Sequence, residues 1–243
     1  MELEGRTALV TGAGRRLGRA IAVALAARGM HVGVHYGSSA AGARGTATEI
    51  QRAGGHAVCL QADLTEPGAP AALVDGAVAA LGRLDVLVNS AAVMVRTPVG
   101  EVTPADWDAM FAVNLRAPFF AAQAAAPHLA RQQGAIVNLA DLAAFETWPG
   151  YVPHGISKAG VVQMTRALAR VLAPDVRVNA VAPGTVLLPE SWPEDAARRL
   201  AATTPLRRLG GPQDVTRTVI FLLEADYITG ETLLVDGGRN IRR

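Results

Sequence analysis

The sequence lacks the marks of a secreted or membrane protein. It holds one cysteine, which excludes an internal disulfide, and it has no uncharged apolar run of the roughly 18 residues that a membrane span requires. No basic segment followed by an apolar one stands at its start, so we expect no secretory leader. The sequence therefore predicts a cytoplasmic protein without a membrane partner, and the apolar neighbours of Cys59 predict a packed thiol.

Charge is also scarce. Charged residues make up 18% of the chain, the formal net charge is +2, and paired arginines such as Arg15-Arg16 and Arg207-Arg208 are isolated from one another. This pattern excludes a basic surface for nucleic acid. Half of the residues are apolar, which excludes general disorder and can supply a large buried sheet. Because no repeat, low-complexity tract or linker divides the chain, we expect residues 1–243 to form a single domain.

Short apolar runs alternate with helix-length, alanine-rich amphipathic segments along the whole chain. This alternation is typical of βαβ units, and it predicts a Rossmann-type, doubly wound parallel sheet of seven strands. Residues 184–205, rich in proline and glutamate after a strand, are expected to form a substrate lid. The predicted strands are Thr7–Val10, His31–His35, Ala57–Leu60, Val86–Asn89, Ala135–Leu139, Val176–Val181 and Thr232–Val235. The predicted helices are Gly18–Arg28, Ala40–Ala53, Ala69–Leu81, Pro104–Arg131, His154–Leu172, Pro193–Ala201 and Pro212–Leu223.

A glycine-rich turn joins the first predicted strand to the first predicted helix. Glycine allows a tight turn and lets backbone N–H groups approach a pyrophosphate, while the helix N-terminus supplies partial positive charge. An ordinary strand-to-helix turn would also be rich in glycine, so the motif alone leaves both interpretations open. The residues assigned here to a dinucleotide are Gly12, Gly14, Arg15, Arg16, Leu17 and Gly18.

The end of the second strand indicates which dinucleotide is preferred. A carboxylate there would bind the ribose 2′-hydroxyl of NAD and repel a 2′-phosphate. The chain instead has His35, Tyr36, Gly37 and Ser38, with no acid among them. Arg15 can reach the same region, and its guanidinium suits a phosphate in charge and shape. These residues favour NADP(H), although Arg15 could also be a solvated loop arginine.

Further motifs follow in order: Asp63-Leu64, Asn89-Ser90-Ala91, Asn114 and Pro183-Gly184-Thr185. Together with the glycine turn, they resemble the short-chain dehydrogenase/reductase family over nearly the whole chain. Several stretches are similar to the pteridine reductases within that family: Arg16, where the general pattern has glycine or alanine, His35-Tyr36, Arg116 to Phe120, and Val186 to Glu190.

The resemblance assigns positions along a cofactor groove. It implies that Asp63 and Leu64 flank the adenine, that Asn89, Ser90 and Ala91 line the groove, and that Pro183-Gly184-Thr185 meets the nicotinamide. Asp63 could equally cap the following helix, and Asn89 could be a turn residue at a strand end. The resemblance also implies a homotetramer formed by packing the long fourth and fifth helices against symmetry mates.

The same resemblance implies a catalytic group. In this family a tyrosine precedes a lysine by four residues, a serine or aspartate lies thirteen residues before the tyrosine, and a helix asparagine completes a proton relay. Lys158, Asp141 and Asn114 fit three of these places, whereas His154 stands at the tyrosine position. Residues four apart share a helix face, which supports this register. Tyr151, seven residues before Lys158, and Leu187 are expected to contact substrate.

Each catalytic candidate leaves alternatives open. Imidazole can transfer protons near neutrality, but the neighbouring ammonium disfavours imidazolium, and a water would have to bridge the shorter reach. His154 could therefore be a hydrogen-bonding residue in a site that binds NADPH without turnover. Asp141 could donate the proton itself or be a turn residue, and Lys158 could be a solvated helix lysine.

The sequence thus predicts an enzyme that reduces a C=N or C=O bond of a small molecule with NADPH. A dihydropteridine is the first substrate expected, and a 3-oxoacyl thioester or small ketone is the next. The alternative is a non-catalytic NADPH-binding protein that acts as a sensor or as a partner subunit. No metal is predicted.

Overall fold

The computed structural model describes residues 1–188 and 193–241, and a single parallel sheet crosses this part of the chain. Its strand order is β3-β2-β1-β4-β5-β6-β7, so the direction of winding reverses between β1 and β4. The predicted seven-stranded, doubly wound sheet is confirmed. Ligands of such sheets bind at the carboxyl ends of the strands, next to this reversal. The strands are β1 (Thr7–Val10), β2 (His31–Tyr36), β3 (His56–Gln61), β4 (Val86–Asn89), β5 (Ala135–Leu139), β6 (Arg177–Pro183) and β7 (Thr232–Val235).

Helices cover both faces of the sheet. One face is packed by α1, α2 and α8, through side chains such as Ile21, Ile50 and Leu222. The other is packed by α3, α5 and α6, through Leu73 and Leu129 among others. The helices are α1 (Arg16–Ala26), α2 (Ala40–Arg52), α3 (Ala69–Leu81), α4 (Pro104–Phe111), α5 (Ala117–Ala130), α6 (Val152–Leu172), α7 (Glu194–Ala202) and α8 (Pro212–Glu224).

The central and edge strands differ in burial. Every residue of β4 and β5 is buried, as expected of a strand covered on both sides by helices. β3 pairs with β2 at the edge of the sheet, and Ala57 is the one buried residue among its six. Cys59 is one of its exposed residues, so the prediction of a packed thiol is wrong. Its apolar sequence neighbours point to the opposite side of the strand.

The helix predicted to run unbroken from Pro104 to Arg131 is interrupted. A π-helical turn, Ala112–Arg116, separates α4 from α5. Pro118 follows this turn and has no N–H to donate to the carbonyl of Asn114, four residues earlier. The wider π turn accommodates the proline ring and carries Asn114 in a position that is 1% exposed.

The other boundaries that differ from the predicted ones do so by one or two residues. α1 begins at Arg16 instead of Gly18, and β6 extends to Pro183 instead of ending at Val181. Pro153 occupies the first turn of α6, where its missing N–H costs no hydrogen bond. Within the described ranges, no helix is long and apolar enough to cross a bilayer.

Candidate active site

An open cleft of about 990 Å³ lies at the carboxyl ends of the strands. All of the residues that the sequence assigns to the site line this cleft except Asn89 and Asn114. Part of the predicted lid, residues 189–192, lies outside the described residues. Trp148, Arg96 and Arg239 also line the cleft, and sequence reasoning did not find them.

The glycine turn forms one end of the cleft. Gly12 has a φ of +67°, and a Cβ there would lie 2.9 Å from the Cα of Ala91. A Cβ on Gly18 would lie 2.3 Å from the carbonyl oxygen of Gly12. Neither position admits a side chain. No described side chain caps the first turn of α1, which leaves its N–H groups available to an anion.

His35 braces this turn from the second strand. Its Nδ1 accepts a hydrogen bond from the Gly12 N–H at 3.1 Å, and its Nε2 lies 3.1 Å from the carbonyl oxygen of Ala62. Burial lowers the pKa of His35, against a smaller upward effect of the bond to Ala62. A neutral imidazole with its proton on Nε2 satisfies both contacts. His35 therefore holds the glycine turn, and its assignment to the cofactor stays a prediction.

Thr11 connects the glycine turn to the loop after β4. Its hydroxyl accepts hydrogen bonds from the N–H groups of Ser90 at 2.9 Å and Ala91 at 3.0 Å. Asn89 lies below the cleft, where its amide donates to Asn138 at 2.9 Å. Asn138 in turn donates to Thr165 at 2.9 Å. Asn89 thus belongs to a buried polar chain, and its assignment to the cofactor stays a prediction.

Two arginines flank the glycine turn. Arg15 is exposed and lines the cleft beside the carboxyl end of β2. Arg16 has a φ of +51°, and its Nη2 donates to the carbonyl oxygen of Leu187 at 2.8 Å. This bond joins the glycine turn to the segment that follows β6, where the lid is predicted.

Asp63 and Leu64 follow β3 at the expected end of the sheet. Asp63 accepts from the N–H of Thr65 at 2.9 Å and from its hydroxyl at 2.7 Å, and these bonds hold the pKa of Asp63 below its usual value. Because α3 begins only at Ala69, Asp63 stabilises the turn and does not cap that helix. Leu64 is buried against α3 and still reaches the cleft.

Lys158 and His154 lie on one face of α6, a single turn apart. Lys158 is 4% exposed, and its Nζ donates to the carbonyl oxygen of Leu139 at 2.7 Å. Burial lowers the pKa of Lys158 to about 8, while the negative charge of Asp141 acts in the opposite direction. Lys158 is also the only lysine in the sequence. A solvated surface lysine would show none of this burial.

His154 is 2% exposed and lies between a carbonyl and a carboxylate. Its Nδ1 is 3.3 Å from the carbonyl oxygen of Val93, and its Nε2 is 3.6 Å from Oδ2 of Asp141. Because a carbonyl only accepts, Nδ1 carries a proton. Nε2, which has no hydrogen-bond partner among the described residues, then presents its lone pair to the carboxylate. That contact is favourable only when one further proton resides on Nε2 or on Asp141.

Asp141 is less buried than His154, with its side chain 25% exposed. Its Oδ1 accepts from the N–H of Ala143 at 2.8 Å and begins the short 3-10 turn Leu142–Ala144. Oδ2 is left to face His154 and the cleft. Asp141 is therefore a turn residue that also lines the cleft, and its part in proton transfer stays a prediction.

Asn114 holds the loop after β4 against this group. Its Oδ1 accepts from the Val93 N–H at 2.8 Å, and its Nδ2 donates to the Val93 carbonyl at 2.9 Å. Nδ2 also lies 3.1 Å from the hydroxyl of Ser157, which donates to the carbonyl of His154. Asn114 thus fixes the carbonyl that His154 contacts, without lining the cleft itself.

Aromatic residues and an arginine form the wall beyond the catalytic candidates. The ring of Trp148 meets that of Tyr151 edge to face, with 6.3 Å between their centres. Arg239 lies over Trp148 at 5.6 Å, and its Nη1 donates to the hydroxyl of Thr185 at 3.1 Å. Trp148 lies in a loop and Arg239 begins a short 3-10 turn, so neither belongs to a periodic pattern and only their chemistry could have marked them. Within the described residues, no cluster of three metal-ligand side chains occurs.

The chain matches a family model and a bacterial reductase over nearly its whole length. A family model described as Enoyl-(Acyl carrier protein) reductase matches residues 12–240. The chain is 36% identical over 239 residues to 3-oxoacyl-(acyl-carrier-protein) reductase FabG of Staphylococcus aureus, covering 96% of this chain and 97% of that protein.

Two solved structures extend this likeness to three dimensions. The angucycline C-6 ketoreductase LanV with bound NADP has a TM-score of 0.92 at 35% identity, covering 99% of this chain and 97% of the other. FolM alternative dihydrofolate reductase 1 from Brucella canis, complexed with NADP, has a TM-score of 0.93 at 34% identity, covering 100% and 96%. With its doubly wound sheet, glycine turn and buried α6 lysine, the chain belongs to the short-chain dehydrogenase/reductase family.

Proposed function

We propose that the chain is an NADPH-dependent reductase of a carbonyl compound. The observation that carries this proposal is the group formed by the buried Lys158 and His154 with the partly exposed Asp141. This group lines the same cleft as the uncapped N-terminus of α1. A site for a dinucleotide and a site for proton transfer therefore share one cavity.

The cleft offers hydrogen-bond donors for the phosphates of NADP(H) and room for the dinucleotide. The first-turn N–H groups of α1 and the glycine turn would hold the pyrophosphate, and Arg15 would pair with a 2′-phosphate that no acid at the end of β2 opposes. Lys158 would bind the nicotinamide ribose, and the loop at Thr185 would meet the nicotinamide. Reduced nicotinamide, when bound, supplies a hydride. Likeness to LanV and FolM, each crystallised with NADP, supports this choice.

A ketone or 3-oxoacyl thioester is the proposed substrate class. The likeness to a 3-oxoacyl reductase and to a ketoreductase supports C=O reduction. A dihydropteridine is the second candidate, because the chain is also similar to an alternative dihydrofolate reductase and carries Asp141 beside the proposed donor.

The His154–Asp141 pair is the proposed proton source. Reduction of a ketone adds a hydride to the carbonyl carbon and a proton to its oxygen. With one proton beyond that on Nδ1, the pair can release a proton to the substrate oxygen from Nε2 or from Oδ2. Solvent can then replace it through Asp141, whose side chain is 25% exposed. We propose that His154 takes the place of the tyrosine that the family resemblance implies.

A non-catalytic NADPH-binding protein is the second candidate function. The near-complete burial of His154 favours it, since a substrate must reach the proton through Asp141 or a bridging water. The cleft would then bind the cofactor without efficient turnover.

We also propose that residues 1–243 act as one domain with a lid at 184–205, and that the chain assembles as a homotetramer. Trp107, Phe119 and Phe120 are exposed on α4 and α5, where a partner copy would bury them. Sedimentation equilibrium would give four chain masses for this assembly, and a monomer would contradict it.

Two assays test the function. Fluorescence titration should show NADPH binding at least about tenfold tighter than NADH, or about 1.4 kcal/mol. NADPH oxidation should follow addition of ketones, 3-oxoacyl thioesters, quinones or dihydropterins. Tight NADPH binding without oxidation by any acceptor would favour the binding protein. Weak binding of both cofactors would contradict both candidate functions.

A further inference from the structure

Two arginines outside the glycine turn line the cleft, and the structure uses them differently. Arg239 has its side chain 14% exposed, and its Nε lies 3.4 Å from Oε2 of Glu146. It also lies over Trp148 and donates to Thr185. The charge of Arg239 is thus balanced by an acid, and its guanidinium connects two walls of the cleft. Arg239 therefore has a structural role in the cleft.

Arg96 also lines the cleft but is exposed, and it has no hydrogen-bond or ion-pair partner among residues 1–188 and 193–241. Its stem lies across Gly150, where an added Cβ would be 3.2 Å from Nε and 3.3 Å from Cγ. The Thr97 N–H donates to the Gly150 carbonyl at 2.9 Å and holds the two loops together. Arg96 is therefore positioned by the backbone of the Gly150 loop, while its charge has no ion-pair partner in the part of the chain that the structure describes.

The position of Arg96 relates it to the proposed proton source. Val93, three residues earlier, presents its carbonyl to His154 at 3.3 Å. Because an extended chain spans about 3.6 Å per residue, the Cα atoms of Val93 and Arg96 are at most about 11 Å apart. Trp148 lies two residues before Gly150 and Tyr151 directly after it, and both line the same cleft. A flat, compact molecule could therefore reach from the proton donor to the guanidinium.

We propose that Arg96 binds an anionic group of the substrate, so that the enzyme prefers carbonyl compounds carrying a carboxylate or phosphate on a planar framework. This inference rests on the proposed reductase function. A guanidinium binds either anion through paired N–H donors, and the anion would supply the partner that Arg96 lacks. Arg96 is then a specificity-determining residue that acts at a distance from the reacting carbon.

Matched ketones test this inference. 4-Acetylbenzoate and its methyl ester share the reducible carbonyl and differ in the negative charge. The wild type should reduce the carboxylate with a kcat/KM at least about tenfold above that of the ester. Arg96→Gln should remove most of this preference by lowering kcat/KM for the carboxylate alone, and Arg96→Lys should restore part of it. Arg52→Gln, which makes the same charge change at an exposed site on α2, should keep the wild-type preference.

The inference is overturned if Arg96→Gln affects both ketones equally or neither, or if Arg52→Gln matches its effect. Titration of the NADPH complex with 4-acetylbenzoate separates this inference from the proposed function. If no acceptor is reduced, the reductase proposal fails, and the titration decides the role of Arg96 by itself. Carboxylate binding weakened about tenfold by Arg96→Gln would support that role. Unchanged binding would reject it.

Discussion

Two clusters of ionisable side chains lie at opposite ends of the strands. They differ in how many of their polar groups have hydrogen-bond partners. At the amino ends of the strands, Asp85 directly precedes β4, and its side chain is fully buried. It accepts hydrogen bonds from Arg6 at 2.9 Å, from Arg83 at 2.6 and 2.9 Å, and from the Thr7 N–H at 3.0 Å. Burial alone would raise the pKa of Asp85, but the bonds and charge of Arg83 with the bonds of Thr7 outweigh it, so the pKa is lowered.

The cluster at the carboxyl ends of the strands consists of His154, Asp141 and Lys158, and its hydrogen bonding is incomplete. His154 Nε2 has no hydrogen-bond partner within the described ranges, and its distance to Asp141, 3.6 Å, is longer than a hydrogen bond. Among the described residues Lys158 has one acceptor for its three donors, and burial lowers its pKa to about 8. A fully satisfied cluster stabilises the fold, whereas an incomplete one can bind a cofactor and exchange a proton. The comparison predicts stability effects at Asp85 and functional effects at His154, Asp141 and Lys158.

Asp85→Ala should have the largest effect on stability. It leaves Arg6, Arg83 and the Thr7 N–H without their shared acceptor, and the loss should be about 3 kcal/mol in the free energy of unfolding. Urea denaturation at pH 7 measures it. The loss should shrink as the pH falls, because the lowered pKa of Asp85 means that its stabilisation disappears as the carboxylate is protonated. A loss below about 1 kcal/mol would contradict the structural role of this cluster.

Lys158→Met should stabilise the protein without cofactor by roughly 2 kcal/mol at pH 7. The pKa of Lys158 is about 8 in the fold against 10.5 in the unfolded chain, so the unfolded state binds more protons between these values. Wild-type stability should therefore rise from pH 8 to 10.5, and the advantage of the variant should vanish. Urea denaturation at both ends of this range is the measurement.

Because the chain has a single lysine, protein labelled with [ε-13C]lysine gives one lysine signal for direct titration. A midpoint near 8 is expected, and Asp141→Asn should lower it by removing the opposing negative charge. A midpoint near 10.5 would show that Lys158 is not desolvated. The stability gain predicted for Lys158→Met would then have no basis.

Arg15→Ala should reduce the preference for NADPH over NADH about tenfold, which corresponds to about 1.4 kcal/mol. The reason is that the 2′-phosphate loses its cationic partner while the rest of the dinucleotide keeps its contacts. Fluorescence titration of both cofactors gives the ratio, and NADH affinity serves as the internal control. An unchanged ratio would show that Arg15 is a solvated loop arginine that does not bind the 2′-phosphate.

Asp141→Asn should change stability least, by at most about 0.5 kcal/mol, because asparagine can also accept from the Ala143 N–H. Turnover should nevertheless fall, since the amide cannot share a proton with His154. Parallel urea denaturation and NADPH-oxidation assays would check both parts. A large stability loss with unchanged turnover would show that Asp141, like Asp85, has a structural role. It would contradict the predicted difference between the two clusters.

Much of the fold could be predicted because local signals agreed with tertiary packing. β1, β4, β5 and β7 have the predicted bounds, since each is a short apolar run between turn residues. The break between α4 and α5 was missed, although Pro118 offered a signal, because propensity alone does not define a π turn. Cys59 was misjudged because its sequence neighbours do not reveal that β3 is an edge strand.

The site divides in a similar way. Residues at strand ends and on one face of α6, such as Asp141 and Lys158, could be placed from register and topology. Thr11, Arg96 and Arg239 could not, because their roles depend on loops that meet only in the folded chain. Gly42 of α2 packs against the glycine turn, where a Cβ would lie 2.2 Å from the Gly14 carbonyl oxygen. Because glycine is costly inside a helix, its presence there could have indicated this close approach.

The central claim is that the incomplete cluster supplies a proton through His154, and comparison of His154→Phe with His154→Tyr tests it most directly. With a ketone that the wild type reduces, His154→Phe should lower kcat roughly a hundredfold or more and leave NADPH affinity nearly unchanged. His154→Tyr should keep or raise turnover at neutral and alkaline pH, because Lys158 can stabilise a phenolate four residues away. A wild-type kcat in His154→Phe would contradict the claim.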